Sequence, residues 1–331
     1  MATYHTARQA SRAAILSLSS NVALSVVKLG VGHFTGSISV LADGANSSGD
    51  IITSLIAWSA VRQGSRPPDE DHRYGHGKFE ALAAAFESLI IIAAALAIGY
   101  GAIRRLLSGQ PREFDTGIGL VVMCISAVTN LAISMYLERK SRQCDSLALR
   151  AEAAHHRVDI WTSSAVLAGL VLITFTGWRF LDPLLAVVIG VIIVVQGAQV
   201  GSEAIGQLLD RALPADEMAF ITGLLADHDE LFVDYNRLRT RKAGRERQID
   251  VHLVTCPHVT VQEAHDVVDH LERDIRARFP LTRVVIQVEP CDEVNCPNRS
   301  RIERDPNLCQ LRARLAHSTL EKQLQPPQPI E

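Results

Sequence analysis

Six stretches of the chain, roughly Ala13–Phe34, Ile38–Val61, Ala81–Ile103, Gly117–Leu137, Ala153–Thr176 and Leu181–Ile205, approach the length and apolarity of a bilayer crossing, which takes about 20 residues. Lipid offers backbone groups no hydrogen bonds, so each such stretch is expected to be a helix. The fold class that follows is an α-helical membrane protein with six transmembrane helices. An even number of crossings returns the chain to its starting side. The second and fifth stretches are the least apolar, because both carry acids. A hydrophobic content of 47% is too high for a purely soluble protein, and a net charge of -3 gives no reason to expect nucleic acid as a partner.

Orientation follows from Lys and Arg in the short loops. Arg8 and Arg12 precede the first stretch; Arg62, Arg66, Arg73 and Lys78 follow the second; Arg139, Lys140, Arg142 and Arg150 follow the fourth. Both termini are therefore expected in the cytoplasm, against the smaller group of Arg104, Arg105 and Arg112. The polar N-terminus MATYHTARQASR has no cleavage site after a short apolar core, so no removable signal peptide is expected. The six cysteines lack the dense spacing of a disulfide scaffold and are read as reduced thiols.

After Leu209 the composition becomes that of a soluble domain, expected over 210–291 beside a membrane domain over 1–209. Pro214 suits a helix start, and helix is predicted to Asp227. Gln248–Val254 alternates, with Ile249, Val251 and Leu253 on one face, as a half-buried strand does. Thr260-Val261-Gln262-Glu263 is a capping box opening a helix whose Ala264, Val267, Val268, Leu271 and Ile275 form one apolar stripe. Strands at Phe232–Thr240 and Arg283–Val288 complete an α-β-β-α-β order, a small α+β domain. From Asp292 to Glu331 the polar tail is expected to be disordered.

Chemistry concentrates in the two polar crossings. Asn46-x-x-x-Asp50 in the second is matched by His155-x-x-x-Asp159 in the fifth, each pair on one helical face. Packed helices lie about 8–10 Å apart, so inward side chains from both can close a four-ligand shell. Two carboxylates beside a neutral imidazole and an amide balance a divalent cation. An acid at mid-helix costs about 2.5–3.5 kcal/mol even on the lenient insertion scale, so retention of two calls for a function. The competing reading is hydrogen bonding of both acids to Ser and Thr neighbours or to Arg157. Asp43 either supports the ligands from behind or serves helix packing or a helix end.

The ordered motifs "FTGSISVLADGANSSGD", "DEDHRYGHGKFEAL", "HHRVD", "LLDRALP" and "RLRTR" resemble the cation diffusion facilitators, especially the bacterial ferrous-iron and zinc efflux branch, from about Ser11 to Cys291. The resemblance implies a homodimeric antiporter of divalent metal and protons in the bacterial inner membrane. It also implies six helices per protomer and a ferredoxin-like cytoplasmic domain. Carried over by position, the transport site falls on Asn46, Asp50, His155 and Asp159. Asn46 departs from the family's usual Asp or His, and the oxygen-rich set favours manganese or ferrous iron while leaving zinc open. The transported metal is substrate, and no prosthetic group is implied.

Further candidates surround this set. Asp69, His72 and His76 lie in a Pro- and Gly-containing loop, where the similar branch places a metal site; the other reading is a solvated charged loop. In the soluble domain His252, His265 and Glu289 fall at family metal positions, yet Asn236, Gln287 and Glu289 replace His, His and Asp of that branch, so a weaker single site is expected. Lys78 and Asp210 match a charged interlock that the family uses at its dimer and domain junction; the other reading is two unrelated interfacial charges. Cys291, Cys296 and Cys309 have no convincing zinc spacing and read as free thiols. Glu87 is an acid within the third crossing that serves as a proton site or pairs with Lys28. Two rival functions are an intramembrane metal hydrolase, for which no His-Glu-x-x-His motif is found, and a membrane-bound metal sensor or scaffold that transports nothing.

Overall fold

The computed structural model describes residues 2–35, 38–108, 118–176, 181–229, 231–257 and 259–291. It divides into two units, Met1–Leu209 and Asp210–Glu331. The tail from Asp292, with Cys296 and Cys309, lies outside the described residues.

The first unit contains six long helices: α1 (Ala2–Thr35), α2 (Ile38–Gly64), α3 (Lys78–Ser108), α4 (Ile118–Cys144), α5 (Leu147–Thr176) and α6 (Leu181–Leu208). Four of them are long and apolar enough to cross a membrane: Thr6–Phe34, Lys78–Arg104, Val121–Cys144 and Leu184–Leu208. α2 and α5 fall outside that set, and they are the helices that carry the acids of the two polar pairs. The helices also run past the expected crossings, since polar turns such as Glu138–Cys144 continue the same hydrogen-bond ladder.

Burial in this unit is inverted relative to a water-soluble bundle. Its interior holds Ser17, Asn21, Ser25, Ser54, Glu87, Asn130, Glu152 and His156, while Val26, Ile52, Leu89, Leu96, Val128 and Val191 face outward. Hydrocarbon outside removes the penalty for exposing Leu or Val, and helix association then relies on small residues and internal hydrogen bonds. Alanines supply much of the tight packing, with Ala10, Ala13 and Ala14 of α1 meeting Ala148 and Ala153 of α5 in one cluster. α3 and α6 pack closely because Gly197 and Gly201 bring the backbones together: a Cβ at Gly197 would lie 2.9 Å from Ile92 Cγ1 and 3.0 Å from Ile91 Cγ2. Gly197→Leu is therefore expected to cost about 1–3 kcal/mol through overpacking, read as a lower thermal midpoint in detergent. Gly201→Ala, which meets the movable Ser88 hydroxyl at 2.7 Å, is expected to lower it less.

The second unit is built from α7 (Ala215–Asp227), β1 (Asp234–Ala243), β2 (Glu246–Thr255), α8 (Val261–Arg278) and β3 (Thr282–Pro290). The sheet order is β1-β2-β3, with β1 antiparallel and β3 parallel to β2. The α-β-β-α-β order read from the sequence is what forms, with strand ends two to three residues longer in places. A ferredoxin-like unit contains a fourth strand, which the described residues do not include. Ile249, Val251 and Leu253 point from β2 into a core shared with Ile221 and Leu225 of α7 and Val267, Leu271 and Ile275 of α8. At the start of α8 the Thr260 side chain accepts from the Glu263 amide while Glu263 accepts from the Thr260 amide, the reciprocal cap expected there.

Candidate metal centre

α2 and α5 are in contact, and α4 packs along α5. Their inward faces bring Asp50, His155 and Asp159 together, each with one ligand atom within 4.8 Å of the others. His155 Nε2 stands 3.0 Å from Asp50 Oδ1. Asp159 Oδ2 accepts from the Asn130 amide of α4 at 3.2 Å. His155 Nδ1 is buried with no hydrogen-bond partner among the described residues. Asn46 lies one turn before Asp50 on α2 and is exposed.

Neither acid depends on Arg157, which reaches Glu138 at 3.4 Å instead. Asp43 serves helix packing, since its carboxylate meets the buried Lys28 of α1 at 2.9 Å. Lys28 also donates to Ser47 at 2.9 Å, so it pairs with α2 and not with Glu87. Glu87 is buried, and its Oε1 has no hydrogen-bond partner among the described residues.

A second buried network, not singled out in the sequence, lies one turn away on α5. Ser17 of α1 donates to Glu152 Oε1 at 2.7 Å, and Ser54 of α2 donates to the same oxygen. Ser17 Oγ also meets His156 Nε2 at 2.8 Å, and His156 Nδ1 lies 3.2 Å from Asn130 Oδ1. Asn130 therefore joins this network to Asp159. Glu152 stands three residues before His155, and that spacing on one helix face was the available signal.

Residues 14–209 match the family described as the cation efflux transmembrane domain. The chain belongs to the cation efflux family. Residues 213–291 match a second family, ZT_dimer, described as the cation efflux protein cytoplasmic domain. The cation-efflux pump FieF of Klebsiella pneumoniae is 35% identical over 304 residues, covering 90% of this chain and 98% of that pump. An uncharacterised transporter of Synechocystis sp. is 33% identical over 288 residues, covering 87% of this chain and 93% of that protein. A solved structure of the putative zinc transporter CzrB in its zinc form is 34% identical, covers 24% of this chain and 92% of that one, and has a TM-score of 0.23. The matched family and the FieF relative are cation-efflux transporters and not enzymes, which removes the hydrolase reading.

In this cation efflux chain the loop before α3 gathers Asp69, His72 and His76, again with ligand atoms within 4.8 Å of one another. Asp69 Oδ2 is 3.1 Å from His76 Nε2, and Asp69 Oδ1 is 3.4 Å from His72 Nδ1. The His72 backbone amide donates to Asp69, and this bond, aided by the two imidazoles, holds the carboxyl below its usual pKa. Gly75 makes the turn possible with φ +84, a value that side chains disfavour. His76 is buried, and its Nδ1 has no hydrogen-bond partner among the described residues.

The soluble-domain candidates do not gather in the same way. His252 Nδ1 meets Glu289 Oε1 at 2.8 Å across β2 and β3, and Gln287 donates to that same oxygen at 3.2 Å. His265 points elsewhere, to Asp269 at 3.6 Å on its own helix. Lys78 donates to the Leu208 carbonyl at 3.3 Å, and Asp210 pairs with Arg241 at 3.0 Å. Cys291 is buried and in no disulfide among the described residues.

Proposed function

We propose that this chain exports divalent metal ions from the cytoplasm in exchange for protons. Asp50, His155 and Asp159 would serve as ligands, and Asn46 would complete the shell. The observation that carries this reading is the convergence of two carboxylates and an imidazole from α2 and α5, the two long helices outside the four apolar enough to cross a membrane. Six crossings are part of the proposal, supported by the outward Ile52 and Leu55 of α2 and by the polar interior. Such a set suits manganese, ferrous iron or zinc; a pump named for cation efflux is among the relatives.

Coupling follows from ligand chemistry. A protonated imidazole or carboxyl cannot coordinate, so metal arrival displaces protons and proton arrival displaces metal. Exposure of that one site to each side in turn exchanges the two ions across the membrane. The ZT_dimer match supports a homodimer, the bacterial relatives support an inner-membrane location, and the Lys and Arg of the short loops support both termini in the cytoplasm. The loop set Asp69, His72 and His76 is a second candidate metal site, and His252 with Glu289 a weaker one that His265 would have to turn to join. The interlock of Lys78 and Asp210 remains part of the same proposal.

The test is flux in proteoliposomes across manganese, ferrous iron and zinc, with and without a proton gradient. Uptake is expected to need the gradient, and Asn46→Asp or Asn46→His is expected to change the order of preference among the ions. Flux indifferent to the gradient overturns the coupling. An unchanged order in both variants removes Asn46 from the shell.

A further inference from the structure

The C-terminal domain holds a third cluster that no resemblance and no motif pointed to. His228 caps the end of α7, while His270 and Asp274 stand four residues apart on one face of α8. Helix α8 packs on α7, and one ligand atom from each of the three residues lies within 4.8 Å of the others.

The distances are informative. His228 Nε2 is 3.4 Å and His270 Nε2 is 3.7 Å from the same oxygen, Asp274 Oδ2. Both exceed the usual range of about 2.7–3.2 Å for an N–H···O hydrogen bond. They are close to the edge of a tetrahedron around a metal held at about 2.0–2.2 Å, which is roughly 3.4 Å.

Orientation agrees with the spacing. His228 Nδ1 lies 2.9 Å from the Leu224 carbonyl, an acceptor only, so Nδ1 donates there and Nε2, which faces Asp274, is the nitrogen left for a metal. A ring nitrogen anchored to a backbone carbonyl while the other faces the ion is the usual arrangement of a metal-binding histidine. His270 is 9% exposed, and its Nε2 is buried without a hydrogen-bond partner among the described residues. A buried polar nitrogen left unsatisfied destabilises the fold, and a coordinated ion would remove that cost.

We infer that His228, His270 and Asp274 form a binding site for a divalent first-row metal ion, joining the end of α7 to α8. Two imidazoles and one carboxylate leave at least one position for water. The set fits zinc in tetrahedral coordination, and equally ferrous iron, for which two histidines and a carboxylate are a familiar triad. An ion there ties together two helices that otherwise meet through apolar side chains, so the domain would be tighter when the metal is abundant. The site is independent of the transport set and does not rest on the transport reading.

The experiment uses the full-length protein in detergent, stripped of metal, in a background carrying Asp50→Ala and His76→Ala to silence the transport set and the loop set. Zinc alone and ferrous iron alone, the latter under nitrogen, are added, and bound metal per protomer is counted after dialysis. In parallel, cobalt(II) is added and its visible absorption recorded. His270→Gln and His228→Gln are each expected to lose one equivalent of bound metal and the cobalt band of a nitrogen-and-oxygen site. If His270→Gln unfolds by circular dichroism, the half-buried His228→Gln decides. Unchanged metal content in a folded variant overturns the inference, as does retention of neither zinc nor iron by the background protein. A shift only in metal-free thermal stability, with metal content unchanged, assigns the cluster to packing and overturns it too. Flux through the membrane site is read separately in protein lacking the two silencing changes, so failure of one proposal leaves the other standing.

Discussion

Asp50→Ala is expected to abolish metal flux in proteoliposomes while leaving the protein monodisperse and folded. The reason is charge. With Asp50 and Asp159 ionised and His155 neutral, a divalent ion in the site is balanced; without Asp50 a net positive charge remains in a region where opposite charges interact far more strongly than in water. Substitutions that only disturb hydrogen bonds behind a ligand already cost about 10–100-fold in metal affinity, so loss of a ligand is expected to cost about 100-fold or more. Asp50→Asn keeps the volume and the hydrogen bonding but loses the charge, and is expected to fail nearly as completely. Zinc binding by titration calorimetry and flux at saturating ion concentration would both report it. Flux at the wild-type rate in either variant would remove Asp50 from the transport site.

The convergence behind that expectation was legible in the sequence because it depends on period. An acid four residues from an amide, and another four from a histidine, must share a helical face, and an acid in an apolar helix must turn inward. The same reasoning marked Ile249, Val251 and Leu253 as one core face and Thr260 with Glu263 as a helix start. Partner choice between faces is another matter. Lys28 is drawn to Asp43 because α1 and α2 are joined by a short connection and lie side by side, whereas Glu87 sits on α3; sequence distance and charge alone did not separate the two acids. His265 was placed at a metal position by resemblance, yet its neighbours on α8 include Asp269 one turn on, and that local pairing is the contact observed. His228 and His270 are 42 positions apart and belong to different helices, so nothing periodic links them until α7 and α8 are packed. The network around Glu152 was missed for a similar reason, since its serines come from two other helices and carry no pattern of their own.

That network supplies the largest stability effect expected in the membrane unit. Glu152 is fully buried, and its Oε1 receives hydroxyl donors from both Ser17 and Ser54, tying α5 to α1 and α2. Glu152→Ala removes the shared acceptor, opens a cavity and leaves two buried hydroxyl donors without their acceptor, Ser17 keeping His156 and Ser54 keeping Asn21 as the other contact. Each buried group left without a partner costs about 1–3 kcal/mol, so a loss of roughly 3–5 kcal/mol is expected, comparable to breaking a buried charged pair. Glu152→Gln keeps a carbonyl oxygen in the same place and can still accept from both serines, so it is expected to recover most of the stability. The measurement is the thermal midpoint of the purified protein in detergent, read alongside Ser17→Ala with Ser54→Ala, which removes the donors instead. In the double serine variant the further change Glu152→Ala should cost much less than it does in the wild type, because the hydroxyls it would orphan are already gone. Equal costs in the two backgrounds would show that Glu152 is not coupled to the two serines, and that the carboxylate contributes through some other contact.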